Sequence, residues 1–422
     1  MKRIAVIGSG ISGMAAAWLL RDSHSVTLYE AADYLGGHTN TIDVALEGIR
    51  APVDTGFLVH NDLTYPNLIA LFKHLGVATH PTDMSFSVAV PDLALEWAGT
   101  SLGAVFAQKR NLLRLSFWQM LLDILRFNRN ARSHLQESQT QGWTLRQLLD
   151  AHGYRAGFRD WYLIPMAAAI WSSPAQEILE FPAQTFITFC LNHHLLQVND
   201  RPQWKTVLNG ARTYVEAMAR DLDDIRLACA VQAVRRSPDG VFVESVTGEE
   251  RFDEVVFACH APTTLKLLKD VREAERHVLQ DFRYQANDAW LHTDESFLPR
   301  DTRTWAAWNY LSGPDEGGTR PVCVSYLINK LQPLPFTSPV IVTLNPYRQP
   351  ALEKTLRRIE YEHPLFDTAA IAAQARLPGI QGRHRAWFCG AWAGYGFHED
   401  GLKSALSVVR GLGGNIPWEA SL

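Results

Sequence analysis

Cysteine is scarce: five in 422 residues, at Cys190, Cys229, Cys259, Cys323 and Cys389, with no C-x-x-C pair. That spacing argues against a disulfide framework or a zinc site and fits a reducing cytoplasm. No apolar run reaches the roughly 20 residues needed to span a bilayer. Charge of one sign is also missing: the formal net charge is −4, which disfavours nucleic acid as a partner. There is no internal repeat and no low-complexity linker. Residues 1–20 read as strand, turn and helix, not as a cleavable leader, so the expected location is the cytoplasm. Tryptophan, in contrast, is abundant at 13 residues, as aromatic-lined surfaces or a large core require.

The chain opens on an apolar run, Ile4-Ala5-Val6-Ile7, that enters Gly8-Ser9-Gly10-Ile11-Ser12-Gly13. An Ala-rich helix follows from Met14 to Leu20, and a second apolar run, Val26 to Tyr29, closes on Glu30. Strand, G-x-G-x-x-G, helix and an acid about 20 residues on make a dinucleotide fingerprint. Gly8 allows the tight turn, Gly10 lets backbone approach a pyrophosphate, and Gly13 lets the helix pack on its strand. The helix N-terminus offers free N–H groups to phosphate, and with them Ile11 and Ser12 become cofactor-binding candidates. Glu30 can accept from a ribose 2′-hydroxyl and would repel a 2′-phosphate, so NADP is disfavoured.

Beyond this unit, residues 64–76 read as a helix ending at Gly76. Residues 100–200 are mostly helical, with breaks near Gly142, Gly153, Pro165 and Pro174. Ser237-Pro238-Asp239-Gly240 is a hairpin signal, and Phe252 to Cys259 a buried strand. Residues 286–345 read as antiparallel strands. Ala386 to Gly390 is a last strand, followed by a Gly-rich turn and a helix from Gly401 to Arg410. Cofactor-like segments at the start, middle and end are separated by two insertions.

With those segments the chain resembles the FAD-dependent amine oxidase superfamily, which includes phytoene desaturases and protoporphyrinogen oxidases. Gly8, Gly10, Gly13 and Glu30 match its first motif, and Gly36-Gly37 its Gly-Gly turn. His38 stands where the family commonly has Arg. Asp54 and Gly56 match a following Asp-x-Gly, Gly210-Ala211 a mid-chain turn, and Val231 to Val234 the strand on the adenine side. Gly390 and Gly401-Leu402 match the terminal flavin motif, although Ala391 and Trp392 replace its usual acid. The resemblance implies a discontinuous Rossmann-like FAD-binding domain, α/β, over 1–85, 203–283 and 376–422. It implies an α+β substrate domain over 86–202 and 284–375, helical first and an antiparallel sheet second. It also implies that Glu30, Gly36, Gly37, His38, Val231, Gly390, Gly401 and Leu402 join the G-x-G-x-x-G residues around the cofactor. The Leu402 N–H is the expected donor to the flavin pyrimidine oxygen. No cysteine lies between Gly390 and Gly401, so FAD is expected to be noncovalent.

The run Gly394-Tyr395-Gly396-Phe397-His398-Glu399-Asp400-Gly401, with Leu291 to Asp294 and Trp308-Asn309-Tyr310, is similar to a narrower bacterial branch. That branch is associated with cyclopropane-synthase-type lipid methyltransferases. The resemblance implies hydride removal from a C–H bond of an apolar substrate, with desaturation of a methylated fatty acyl chain of a membrane lipid as the preferred reaction. Amine oxidation and isoprenoid desaturation are the enzymatic alternatives. A non-catalytic FAD-containing partner of a lipid methyltransferase is an alternative of another class.

The candidate catalytic residues are His398, as acid or base, and Phe397, as a wall beside the flavin. The alternative for His398 is a backbone-bonded histidine in a tight turn. Glu399-Asp400 reads as a solvated helix start with Asp400 as N-cap. His193-His194 and His292/Asp294 fit no strong metal signature, and no metal is expected. Lys330 reads as a surface lysine. Segment 102–132 carries Lys109, Arg110, Arg114, Arg126, Arg129 and Arg132 against the single acid Asp123, among large apolar residues at helical spacing. It is either a peripheral contact with the inner face of the membrane or an ordinary helix pair over the substrate domain.

Overall fold

The computed structural model describes residues 1–171, 178–192, 195–196, 202–314 and 321–419. A five-stranded sheet forms one half of the molecule. Its strands lie in the order Asp224–Arg226, Ser25–Tyr29, Arg3–Ile7, Glu254–Phe257 and Ala386–Phe388, all parallel. Ile4 to Val6 and Glu254 to Phe257 are buried throughout, as a parallel sheet covered on both faces demands. The helix Ile11–Leu20 is buried at every residue, which explains its run of alanines. It packs against the last helix, His398–Leu412.

The chain reverses direction of travel across this sheet at Arg3–Ile7. Ser25–Tyr29 lies on one side and Glu254–Phe257 on the other. Such a switch point opens a crevice at the carboxyl ends of the strands. Three turns meet there: Gly8–Gly13, the turn after Phe257, and the turn after Phe388.

The second half is a seven-stranded sheet, in the order Thr355–Leu365, Arg283–His292, Ile341–Leu344, Val322–Leu327, Trp308–Ser312, Phe86–Val90 and Leu95–Ala98. Its pairs are antiparallel except Trp308–Ser312 with Phe86–Val90. A helical layer lies beside it. It includes the long helix Leu115–Gln141, the helix Ile164–Trp171 and the helix Ala183–Asn192. Gly142 and Gly153 end helical segments at positive φ. Pro165 does not break the chain's helical course: it sits in the first turn of Ile164–Trp171, directly after a π-turn at Arg159–Leu163. Pro174 lies outside the described residues. The hairpin pairs Ser237 with Gly240, leaving Pro238-Asp239 as its two-residue turn.

Candidate functional site

The Gly-rich turn is built by backbone approach. Gly8 has φ +102°, and a β-carbon on Gly13 would sit 1.8 Å from the Gly8 carbonyl oxygen. Gly10 differs: a β-carbon there would meet nothing within 4 Å. Open space above Gly10 is what a phosphate-binding turn needs. Glu30 lies beside this space. Its carboxylate accepts from the Ser9 N–H at 2.9 Å, the Ser9 hydroxyl at 2.6 Å and the Ala32 N–H at 2.8 Å. The Gly36 N–H donates back to Ser9, and Gly37 at φ +58° lies against Gly10.

Asp54 ties two distant turns together. Its carboxylate accepts from the Ala211 N–H at 2.9 and 3.0 Å, from the Thr41 hydroxyl and from the Gln332 amide at 2.8 Å. Burial pushes its pKa up to about 6, against those hydrogen bonds. Gly56 is needed because a β-carbon there would lie 2.1 Å from the His38 carbonyl oxygen.

A cavity of about 310 Å³ runs from this turn into the seven-stranded sheet and the helical layer. Of the sequence-predicted residues, Gly10, Ile11, Ser12, Gly36, His38, Gly390, Phe397 and His398 line it. Gly8, Gly13 and Gly37 shape the turn behind it. Val231 begins the strand Val231–Ser237 of a separate three-stranded sheet. The chain just before it runs along the Glu30 strand, with the Cys229 N–H donating to the Glu30 carbonyl at 2.8 Å.

The last helix corrects one expectation. It begins at His398, not Gly401. The Gly401 N–H therefore bonds to the Phe397 carbonyl at 3.0 Å, and the Leu402 N–H falls inside the helix's own ladder. The donors this terminus leaves free of the ladder are those of the turn before it, His398 to Asp400. The reason lies in Asp400. Its carboxylate accepts from the Tyr395 and Phe397 N–H groups, both at 3.1 Å, and so fixes an earlier start. Asp400 is thus the third helical residue rather than the N-cap, which is Phe397. Glu399 is not solvated either. It is buried and accepts from the Asn67 and Leu68 N–H groups, capping the helix Pro66–Leu75. Gly401 itself is a close-contact position: a β-carbon there would lie 2.8 Å from Ile11, and its carbonyl accepts from the Ser12 hydroxyl at 2.8 Å.

His398 stacks on Phe57 with ring centroids 3.7 Å apart. Its Nε2 lies 2.9 Å from the Thr39 hydroxyl and 3.2 Å from the Tyr214 hydroxyl. One edge borders the cavity, yet burial pushes its pKa down to about 3, with His60 contributing less. It is a neutral imidazole held by two hydroxyls, so it is a poor base at neutral pH.

The opposite wall comes from residues that sequence reasoning missed. Tyr361 and His363, on Thr355–Leu365, stack near His38, at centroid distances of 4.8 and 5.1 Å. His260 follows the strand Glu254–Phe257, stacks on Tyr284 and lies 3.0 Å from the Glu362 carboxylate. Burial, then His363, His260 and His398, holds His38 well below the usual histidine range. Burial also pushes His363 down to about 4. This wall is uncharged at neutral pH apart from the His260–Glu362 contact. The signal for it in the sequence was weak: His260 ends a clear strand, but Thr355–Leu365 offers only the short alternation Ile359-Glu360-Tyr361-Glu362 among charges.

The far end of the cavity is aromatic and aliphatic. Phe189 stacks on Phe397 at 5.0 Å, and Trp171, Tyr395, Trp308 and Tyr326 complete it. Among the described residues lining the cavity, Glu362 is the one acid.

These residues fit FAD. The turn is open where a pyrophosphate would lie, Glu30 sits at its edge, and the His38 Nε2 is a buried polar atom with no protein partner. Metal expectations fare differently. His292 uses both ring nitrogens, on the Thr343 hydroxyl and the Asp294 N–H. His193-His194 lies outside the described residues. Away from the cavity, His134, Glu137 and His152 place three potential ligand atoms within 4.8 Å of one another, a grouping the sequence reading passed over. Of these atoms the His152 Nε2 and a Glu137 carboxylate oxygen already pair at 2.7 Å. Lys330 is half-exposed and lies 3.7 Å from Asp83, on the surface.

A family model of flavin containing amine oxidoreductases matches residues 11–339. Among curated proteins none matches the chain. Solved structures share the fold at low identity. A CLA-producing fatty acid isomerase from P. acnes is 14% identical with a TM-score of 0.66, covering 97% of this chain and 98% of its own. Putrescine oxidase bound to putrescine is 15% identical with a TM-score of 0.68, covering 97% and 98%. Cyclohexylamine oxidase from Brevibacterium oxydans IH-35A is 16% identical with a TM-score of 0.66, covering 98% and 99%.

Proposed function

The chain belongs to the flavin containing amine oxidoreductase family, and from that premise we propose that this FAD-dependent oxidoreductase takes hydride from a C–H bond of a fatty acyl chain of a membrane lipid. The observation that carries the substrate class is the character of the cavity's far end. Phe189, Phe397, Trp171 and Trp308 offer a dry wall for a hydrocarbon. An ammonium substrate draws on a free carboxylate or on aromatic faces closed around it as a cage. The one acid of the described lining, Glu362, already faces His260. The same fold serves a fatty acid isomerase as well as amine oxidases.

FAD, when bound, supplies the acceptor for the hydride; the protein supplies position, electrostatics and dryness. Gly10, Ile11 and Ser12 present backbone N–H groups at the start of the first helix, and Glu30 can accept from the ribose. The first turn of the last helix points its dipole at the cavity. Phe397 and Phe189 hold an apolar chain, and His398, neutral and clamped, keeps Phe57 and the helix start in place. With no cysteine between Gly390 and Gly401, the cofactor is held noncovalently.

The test is anaerobic mixing of the yellow protein with phospholipids bearing methylated or unsaturated acyl chains. Bleaching of the flavin is the expected result. Bleaching by amines and not by lipids would replace this reading with an amine oxidase. A flavin-loaded protein that never turns over, yet co-purifies with a lipid methyltransferase, would replace it with the binding role. Lipid mass spectrometry of cells with and without the gene supplies the product.

A further inference from the structure

Fifteen large apolar side chains are exposed among the described residues, and seven of them fall between positions 102 and 125. They are Leu102, Leu112, Leu113, Leu115, Trp118, Leu122 and Leu125, with Leu113 91% and Leu102 79% exposed. The last four recur at intervals of three, four and three along Leu115–Gln141, so they form one outward stripe. Phe117, Met120 and Phe127 form the buried face of the same helix. A helix on the surface of a water-soluble protein is normally polar outside. This one is apolar on both faces over its first three turns.

Charge singles out the same region. Residues 102–132 hold six cations and one acid, a local +5, while the whole chain is −4; the remainder is therefore −9. The one acid does not face outward: Asp123 is buried and bonded to Arg155 at 3.1 Å, with Arg126 3.3 Å away. Lys109, Arg110, Arg129 and Arg132 are exposed.

We propose that this face is a docking surface for an anionic lipid bilayer, with Leu113, Trp118 and Leu122 entering the headgroup boundary and Lys109 and Arg110 pairing with lipid phosphates. Apolar protrusion ringed by cations is the chemistry of peripheral membrane contact. No helix among the described residues is long and apolar enough to cross a membrane, so the contact lies on the surface. One helix separates the long helix from the cavity. The helix Ala183–Asn192 packs against the long helix, and its Phe189 lines the cavity wall. The docking inference does not depend on the acyl-chain reading, but it gives that substrate a source.

The experiment is co-sedimentation of the full, FAD-loaded chain with vesicles of phosphatidylcholine alone or mixed with phosphatidylglycerol. Binding to the anionic vesicles, weakened by salt, is expected. Lys109→Gln with Arg110→Gln should lower the partition about 25-fold, roughly fivefold per charge. Leu113→Ser with Leu122→Ser should abolish binding while the flavin spectrum and Tm stay unchanged, because both side chains are already exposed. No binding to either vesicle, or binding indifferent to both pairs of substitutions, would overturn the proposal. So would a concentration-dependent dimer, lost in the leucine pair, in a protein that ignores vesicles. Flavin bleaching by detergent-dispersed acyl lipid, measured in parallel, separates the two readings. Bleaching without vesicle binding sinks the docking surface alone; vesicle binding without bleaching sinks the substrate alone.

Discussion

At the residue scale, two glycines three positions apart do different work, and their substitutions should part company. In Gly13→Ala the new methyl meets the Gly8 carbonyl at 1.8 Å, so the turn and first helix must separate. That variant is expected to express poorly and melt well below the parent. In Gly10→Ala the methyl meets no protein atom, and the φ of −62° suits alanine. Its apoprotein should melt within about 0.5 kcal/mol of the parent, as a contact-free substitution does. It should still lose FAD affinity by tenfold or more, read by flavin fluorescence titration, because the open space is the phosphate's. His398 yields a second prediction. A general acid or base is worth about 10²–10⁴-fold. His398→Gln should keep kcat within about tenfold, with no change in the pH–rate profile; a loss of a thousandfold would restore the proton-transfer role. The glycines were legible because their spacing is a backbone requirement. The clamp on His398 was not, because Thr39 and Tyr214 reach it from positions 359 and 184 residues away in the chain.

Elements were legible where one stretch of sequence satisfies itself. Ile4–Ile7 and Ile11–Leu20 are buried on all sides and read as unbroken apolar or small residues. Pro66–Leu75 announces itself by Pro66 at its start and by Gly76, at φ +68°, past its end. Its N-terminal partner could not be read, since Glu399 arrives from the last helix. Glu399→Ala removes acceptors from the Asn67 and Leu68 N–H groups and should cost about 1–2 kcal/mol, measured by denaturant unfolding. Thr355–Leu365 was illegible for another reason. It is an edge strand, paired only with Arg283–His292, and its apolar alternation is confined to Ile359 and Tyr361, set among Arg357, Arg358, Glu360 and Glu362. Charged edges are what keep a long strand from pairing with another molecule. The same habit hid Tyr361 and His363, which build the wall opposite His38.

At the scale of the molecule, burial of histidine sets the response to acid. His38, His60, His134, His260, His292, His363 and His398 all have their pKa lowered by burial. In the unfolded chain they would take protons near the ordinary histidine value of 6.5. Their contribution is complete above that pH and is lost as the pH falls toward about 4, because the unfolded state then binds more protons. Asp54, Glu399 and Asp400 act in reverse: burial raises all three, Asp54 and Asp400 to about 6, and favours the folded, protonated form as pH falls. Seven groups oppose three, so Tm should fall between pH 7 and pH 5. His292→Gln should flatten that fall, and Asp54→Asn should steepen it, in a series of calorimetric scans. A Tm that rises on acidification would contradict the balance.

The parallel sheet has a consequence for how the protein is made. Arg3 bonds to Asp253 across 250 residues of chain, and Ser12 to Gly401 across 389. A ribosome therefore releases the first strand and its glycine turn long before their neighbours exist. Contacts at such separation form late and slowly. Until Glu254–Phe257 emerges, the apolar segment Ile4–Ile7 has one flank open, and until the last helix emerges the nascent chain has half a nucleotide site to offer. Cofactor capture waits for the last helix, and the flavin's colour reports that this helix has been made and docked.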